Sequence, residues 1–438
     1  MRLIHFITII TCCLYGNETC GQSPWTLRQC IEHAQAKNIQ IRQQHLQVEQ
    51  QEIAFNTQKW RHAPSLDASA NESFGFGRAL TYDNTYANRN TQNTGLALST
   101  NIPVFTGFEI KYSKEQAGLN LEAAVQDLEK ARESLALQVA SNYLNVLYYS
   151  ELADVARQET KSQRLLLEQV KAYRENGKKS EAEVYEAQAQ LDQNELNATR
   201  ADNNFRLALL DLAQLLELPS PDSLTVAPAE GDTMDTVLEL PEQIFEQAQW
   251  NKPEIKAERL RLESSAQNIH IAQAGYYPKL YLNAGIGTSY YKTSGYNSAT
   301  FGQQMRDNFT QNIGLSLSIP LFDRMQTRNN IRTAKVQHIL QELQVEDVKK
   351  KLYKEIQQAY YNAEAARVQF KSSASAMASA QAAYELMYEK YLNGKATSTE
   401  LQTQRTQWLK AKSERVQAKY EWILRKKILD FYAGKQLE

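Results

Sequence analysis

Hydrophobic and polar residues alternate from Asn312 to Leu321. Ile313, Leu315, Leu317, Ile319 and Leu321 fall on one side, and Asn312, Gly314, Ser316 and Ser318 on the other. A period of two with one apolar face predicts a strand, entered here through the polar Thr310-Gln311-Asn312. At Ile319-Pro320-Leu321-Phe322 the period changes. Neither Gly nor Pro recurs before Gly394, so a very long helix is expected to follow. The junction has a twin, Ile102-Pro103-Val104-Phe105, 217 positions upstream.

That offset recurs. Tyr143 and Tyr360, Asn145 and Asn362, and Gly177 and Gly394 all stand 217 apart, while Tyr173 and Tyr391 are one residue out of register. Pro64 and Pro278 pair at a slightly shorter offset, which places extra residues in the second hairpin. Equal spacing over so long a stretch is read as an internal duplication. The expected division is a segment 1–21, a first copy 22–218, a linker 219–241 and a second copy 242–434. The strand pairs fall at 65–104 and 279–321. The linker is marked by Pro219, Pro221, Pro228 and Pro241.

Each copy opens with a helix. The first is capped by Thr26 and runs to about Trp60. The second starts at Pro241, bends at Pro253 and ends about Gly275. Strands follow. Leu66, Ala68, Ala70, Phe74 and Phe76 alternate with Ser65, Asp67, Ser69, Asn71 and Ser73. Glu72 falls on the apolar side, where a bulge or a place near a rim would account for it. The return strand sets Leu96, Leu98, Ile102 and Val104 against Gly95, Ala97, Ser99 and Asn101. In the second copy Leu280, Leu282, Ala284 and Ile286 oppose Asn283, Gly285 and Ser289. Runs of about ten residues are what a tilted membrane-spanning strand needs.

Long helices are expected over roughly 107–174 and 324–391, each about 100 Å at 1.5 Å per residue. Leu121, Val125, Leu128, Leu135, Val139 and Val146 give a narrow stripe near heptad spacing. Each helix ends at Asn-Gly-Lys (176–178 and 393–395), a good cap and reversal. Return helices of half that length follow, about 181–217 and 398–433. The deficit is filled if each stacks end to end with one of the shorter helices that precede the strands.

Composition changes this picture only in part. The formal net charge of −1 across 438 residues offers nothing to nucleic acid. Mean hydropathy is negative, and no run beyond residue 21 reaches the ~18 apolar residues of a spanning helix. Spanning strands escape that test, because only alternate residues face lipid. Aromatic residues gather at both strand ends: Trp60, Phe105, Tyr276, Tyr277 and Phe322 at one, Phe74, Phe76, Tyr290 and Tyr291 at the other. Two belts around an apolar band are the interface pattern of outer-membrane barrels, although a soluble sandwich also uses aromatics. Polar loops at about 78–93 and 292–309 are then placed outside the cell.

Arg2, the apolar run Leu3 to Leu14 and the polar Asn17-Glu18-Thr19 predict a signal peptide cleaved after Gly21. A lipoprotein signal is the rival, with Cys12, Cys13 and Cys20 available, but none follows a Leu-small-small run. After cleavage only Cys30 remains, so no intrachain disulfide can form. Cys30 and His33 are three apart on a helix, a possible metal spacing, but only His45 and His62 lie further along that stretch. No metal and no cofactor are expected. With no nucleophile triad, phosphate loop or paired catalytic carboxylates, neither is enzymatic activity.

Signal segment, duplication, two strand pairs and four helical runs together resemble the TolC family of outer-membrane efflux proteins. The resemblance covers nearly all of the mature chain. Its most specific pieces are the two junctions and the tips Tyr173-Arg174-Glu175-Asn176-Gly177 and Tyr391-Leu392-Asn393-Gly394. The family often carries Asp-Gly-Gly after the junction Phe. This chain departs from that with Thr106-Gly107-Phe108 and Asp323-Arg324-Met325. The fold so implied is mainly α with transmembrane β. Four strands cannot close a barrel, and open edges are not tolerated in lipid. A homotrimer with a twelve-stranded barrel, four strands per chain, is therefore implied, continued by a long periplasmic α-helical barrel.

The resemblance also implies a role. The chain would be the passive outer-membrane exit duct of a tripartite efflux pump, served by a periplasmic adaptor (a membrane fusion protein) and an inner-membrane pump. The periplasmic gate would involve Glu400, Thr403 and Tyr391, where Glu400 alternatively just favours a helix N-terminus. Adaptor docking would fall on Arg174, Gly177, Ser180 and Val184 in the first tip and Gly394, Thr397 and Leu401 in the second. A type I protein-secretion duct is the nearest alternative. A non-membrane coiled-coil scaffold is the alternative from another class.

Overall fold

The computed structural model describes residues 24–80, 84–221, 224–228 and 237–437. The expected signal segment, its cleavage point and Cys12, Cys13 and Cys20 lie outside the described residues, as do parts of the linker and of the first outer loop.

The two copies share two helices, a pair of sheet strands, a long helix and a return helix in the same order, and differ between the sheet strands, where the first has a short hairpin and the second a short helix. The first has α1 (Leu27–Lys37), α2 (Ile39–Trp60), β1 (Ser65–Gly75), a short hairpin β2 (Arg78–Leu80) and β3 (Tyr86–Asn88), β4 (Thr91–Phe105), α3 (Glu109–Glu175) and α4 (Glu181–Leu215). The second has α5 (Pro241–Asn251), α6 (Pro253–Gln273), β5 (Lys279–Thr293), α7 (Phe301–Asp307), β6 (Thr310–Ser318), α8 (Gln326–Leu392) and α9 (Ser398–Tyr432). The strand and long-helix expectations agree with these bounds to within a few residues.

One expected helix is two. The run from Thr26 to Trp60 breaks at Asn38, whose Oδ1 accepts the Gln40 amide at 2.9 Å. Its Nδ2 donates to the Leu215 carbonyl at 3.0 Å. The Glu217 carboxylate accepts the Ile39 amide, one of the unpaired donors at the start of α2. The end of α4 therefore abuts the α1–α2 break, as end-to-end stacking requires. The second copy breaks at Lys252, where Pro253 opens α6.

The chain divides into two compact units. One comprises Gln43–Lys130 and Gln249–Leu352 and contains the sheet. Its strands run antiparallel in the order β1-β4-β5-β6, so β1 and β6 are edges with no partner among the described residues. Leu66, Leu98, Ile286 and Leu315 share the apolar face. The β1–β4 register runs unbroken from Ser65 to Gly75, so no bulge explains Glu72. Its carboxylate instead accepts hydrogen bonds from Thr94 and Gln92 across the pair. It lies three residues from the strand end, where water is within reach.

Two expectations about apolar positions need correcting. In α3 the stripe holds from Leu128 onwards, but Val125 is exposed and the buried positions upstream are Ile110, Ala117 and Ala123. The two small alanines let the helix lie close to its neighbours there. Tyr290 is not an exposed belt residue either. It is buried against Phe301 of α7, their ring centroids 5.1 Å apart.

The other unit comprises Met1–Arg42, Ala131–Ala248 and Tyr353–Glu438. Its core contains Trp422, Tyr143, Leu144, Leu212 and Ile244. Part of the linker packs here, because Val226 forms a parallel bridge with Trp25. The Tyr143 hydroxyl lies 2.6 Å from the Ala227 carbonyl oxygen. Cys30 is fully buried, and burial pushes its thiol up to about 12, so it resists giving the thiolate a metal would need. His33 packs edge-on against Trp25. Among the described residues no cluster of metal-ligating side chains is present.

Candidate functional site: helical tips and strand-to-helix seams

Both tips are built the same way. α3 ends at Asn176-Gly177, with Gly177 at φ +71°. The Lys178 amide donates to Tyr173 O at 2.9 Å and the Gly177 amide to Arg174 O at 2.9 Å, a Schellman closure. α8 ends with Gly394 at φ +70°, the Lys395 amide donating to Lys390 O and the Gly394 amide to Tyr391 O. The return helices then start with matching capping boxes. Ser180 bonds reciprocally with Glu183, and Thr397 with Glu400.

The chain brings the tips together. The Lys179 ammonium sits 4.0 Å from the centre of the Tyr391 ring and 2.7 Å from Glu183. Burial works against that charge, but the Glu183 carboxylate and the Tyr391 hydroxyl outweigh it and hold Lys179 above the usual lysine range. Ser398 Oγ donates to Glu186 at 2.7 Å, a second link between the tips.

The candidate gate residues differ in setting. Tyr391 is buried under Lys179. Glu400 is exposed, and the Thr397 amide and hydroxyl hold its carboxyl below the usual range, with Lys390 helping. Thr403 is exposed and donates back to the Thr399 carbonyl at 2.9 Å. Of the docking candidates, Arg174, Gly177, Ser180, Gly394 and Thr397 are exposed. Leu401 is buried, and Val184 packs on the cluster of Leu167, Val170, Ala187 and Leu191. Val184 thus packs within the first hairpin.

One cluster escaped the sequence reading. Arg405 is buried on α9, 3.1 Å from the buried Glu159 carboxylate of α3 and hydrogen-bonded to Gln163. Gln163 in turn donates to the Ala187 carbonyl of α4. Three helices are thereby tied at one point by polar groups that have no water to fall back on. The available signal was position, because Arg405 lies four residues after Leu401 on the stripe that α9 buries.

The seams are where strands become helices. After Phe105, Gly107 and Phe108 are both left-handed, at φ +67°. A Cβ on Gly107 would come within 2.7 Å of Tyr277 Cβ and 2.9 Å of Ala274 O, so only glycine fits. Phe108 packs edge-on against Phe105 and Tyr277. Glu109 binds Lys279 at 2.9 Å and Arg61 at 3.0 Å. In the second seam Arg324 and Met325 take the left-handed positions, at φ +55° and +66°. There Asp323 accepts the Thr327 amide at 2.7 Å.

A four-stranded sheet with one lipid-compatible face and two unpaired edges, joined through seams to two capped helical hairpins, defines an outer-membrane channel subunit. The sequence profile described as outer membrane efflux protein matches residues 30–217 and again 244–435, once per copy. The chain belongs to that family, whose members are channels, and it is an outer-membrane protein with its helical part in the periplasm. It is 24% identical to the outer membrane protein TolC of Escherichia coli over 413 residues, covering 89% of this chain and 81% of that one. It is 24% identical to the outer membrane efflux protein BepC of Brucella suis, covering 94% and 86%. The solved outer membrane protein VceC of Vibrio cholerae shares the fold with a TM-score of 0.77 at 17% identity, over 94% of this chain and 97% of that one.

Proposed function

We propose that three copies of this chain form a passive exit duct for small molecules, fed by an inner-membrane pump through a periplasmic adaptor. In that reading two copies of one unit, 22–218 and 242–434, are joined by the linker 219–241. The observation that carries it is the unfinished side of the sheet. β1 and β6 have free edges, and the seam after β6 leaves Leu321 93% and Phe322 78% exposed. Exposed strand edges cannot stand in lipid, and a neighbouring copy supplies the missing partner to both. Light scattering of the detergent-purified protein is expected to give a three-chain particle. A monodisperse monomer, soluble without detergent, overturns the reading.

Within this duct Glu400 closes the periplasmic mouth, with Tyr391 and Thr403 beside it, and the exposed tip residues receive the adaptor. Glu183 provides the control, because it caps the first tip as Glu400 caps the second. Glutamine serves a capping box too, so Glu400→Gln and Glu183→Gln leave both helices capped. A gate at Glu400 is expected to raise conductance in the first variant alone. Equal behaviour of the two variants leaves Glu400 as a cap.

A further inference from the structure

Strand register assigns every residue of the sheet to the apolar face or the opposite one, and charge is scarce on the latter. That second face is built from Ser, Thr, Asn, Gly, Ala, Tyr and one Pro, with two charged residues, Asp67 and Lys279. Lys279 lies at the seam end, and Glu109 binds it at 2.9 Å. Asp67 is exposed and has no hydrogen bond or ion pair among the described residues. It stands level with Ser99, Gly285 and Asn312, over an open groove of about 420 Å³ lined largely by backbone and neutral side chains. Among the described residues no cation is paired with it.

We propose that Asp67 is a selectivity residue of the channel. Three copies of it set an acidic girdle inside the barrel that favours cations and disfavours anions. The inference rests on the three-chain barrel of the preceding section. Twelve strands about 4.8 Å apart and tilted about 40° give a barrel radius of about 12 Å. At 0.1 M salt the Debye length is about 10 Å, so three carboxylates on that wall act across the lumen. Rings of Asp or Glu are a general means of selecting cations in a pore. In the inward rows on either side stand Ser65 and Ser69, with Asn101 and Asn283 level with Ser65. These neutral side chains solvate a passing ion without cancelling the carboxylate.

The test is the reversal potential of purified channels in planar bilayers across a KCl gradient, with all channels carrying Glu400→Gln so that charge at the mouth is the same in each. Asp67→Asn is expected to lower the K⁺ over Cl⁻ permeability ratio by roughly twofold or more at 0.1 M salt, and by much less at 1 M. Asp67→Lys is expected to reverse the preference. Should that variant fail to insert, Asp67→Asn decides the matter alone. An unchanged ratio in channels that light scattering shows to be trimeric overturns the role of Asp67 and leaves the duct standing. A particle that is not trimeric overturns both.

Discussion

The two seams are copies of one junction, yet only the first is complete within the chain. In the first, Gly107 removes the Cβ that would strike Tyr277, Phe108 finds two aromatic neighbours, and Glu109 sits between Lys279 and Arg61. In the second, the residues in the same two left-handed positions are Arg324 and Met325, and the counterpart of Glu109 is Gln326. The backbone path is kept, while the side-chain support shrinks to Asp323, which accepts the Thr327 amide. Bulky residues at positive φ cost roughly 1–2 kcal/mol each, and here the single chain offers little in return. A junction finished by its own chain can be optimised locally, whereas one that faces a neighbour must leave room for that neighbour.

That contrast can be broken most forcefully at Gly107. Gly107→Ala combines a steric clash with a disfavoured φ and is expected to cost about 2–4 kcal/mol, read as a lower dissociation temperature of the assembled protein. Arg324→Ala, at the matching position, is expected to change little, since a Cβ is already there. Equal losses at both sites would mean that the seams are supported alike.

A smaller effect is expected from Glu109→Gln, at most about 1 kcal/mol because its partners are more than a third exposed. Burial alone would raise the Glu109 pKa, but Lys279 and Arg61 outweigh it and lower it. The stability it adds is therefore full above the ordinary carboxylate pKa and is lost as pH falls through the lower folded value. Thermal unfolding of wild type and variant should differ at neutral pH and converge in acid. Gln326→Glu in the second seam is expected to gain nothing comparable.

The smallest change sharpens the comparison in the opposite direction. Arg324→Gly and Met325→Gly relieve left-handed strain but loosen the unfolded chain, for a net gain of about 0.5–1 kcal/mol each. Denaturation midpoints in detergent measure this. A loss in the trimer, alongside a gain in an isolated chain, would show that these side chains serve the neighbour.

Much of this architecture was legible because it rests on short-range signals. Alternation located the strands, Asn-Gly located both tips, and a constant offset revealed the duplication. The break at Asn38 was not legible, because it depends on the carbonyl of Leu215, far away in sequence. The pair of Arg405 and Glu159 escaped for the same reason, as residues 246 positions apart carry no periodicity in common. Glu72 breaks its strand's pattern for a reason that lies on the next strand, in Thr94 opposite it and Gln92 two residues along. A place for Glu400 at a helix N-terminus was legible, and the structure adds its reciprocal bonds with Thr397.

The duplicated helices match in length: 67 residues each for α3 and α8, and 35 each for α4 and α9. The extra residues of the second copy lie between Pro278 and Pro320, in the strand pair and not in those rods. Length on the periplasmic side is thus a matched gauge. Shortening one rod by a heptad would carry Lys179 out of step with Tyr391 by about 10 Å. Only paired deletions would keep the two ends level, so the reach of this protein across its compartment can change only in both halves at once.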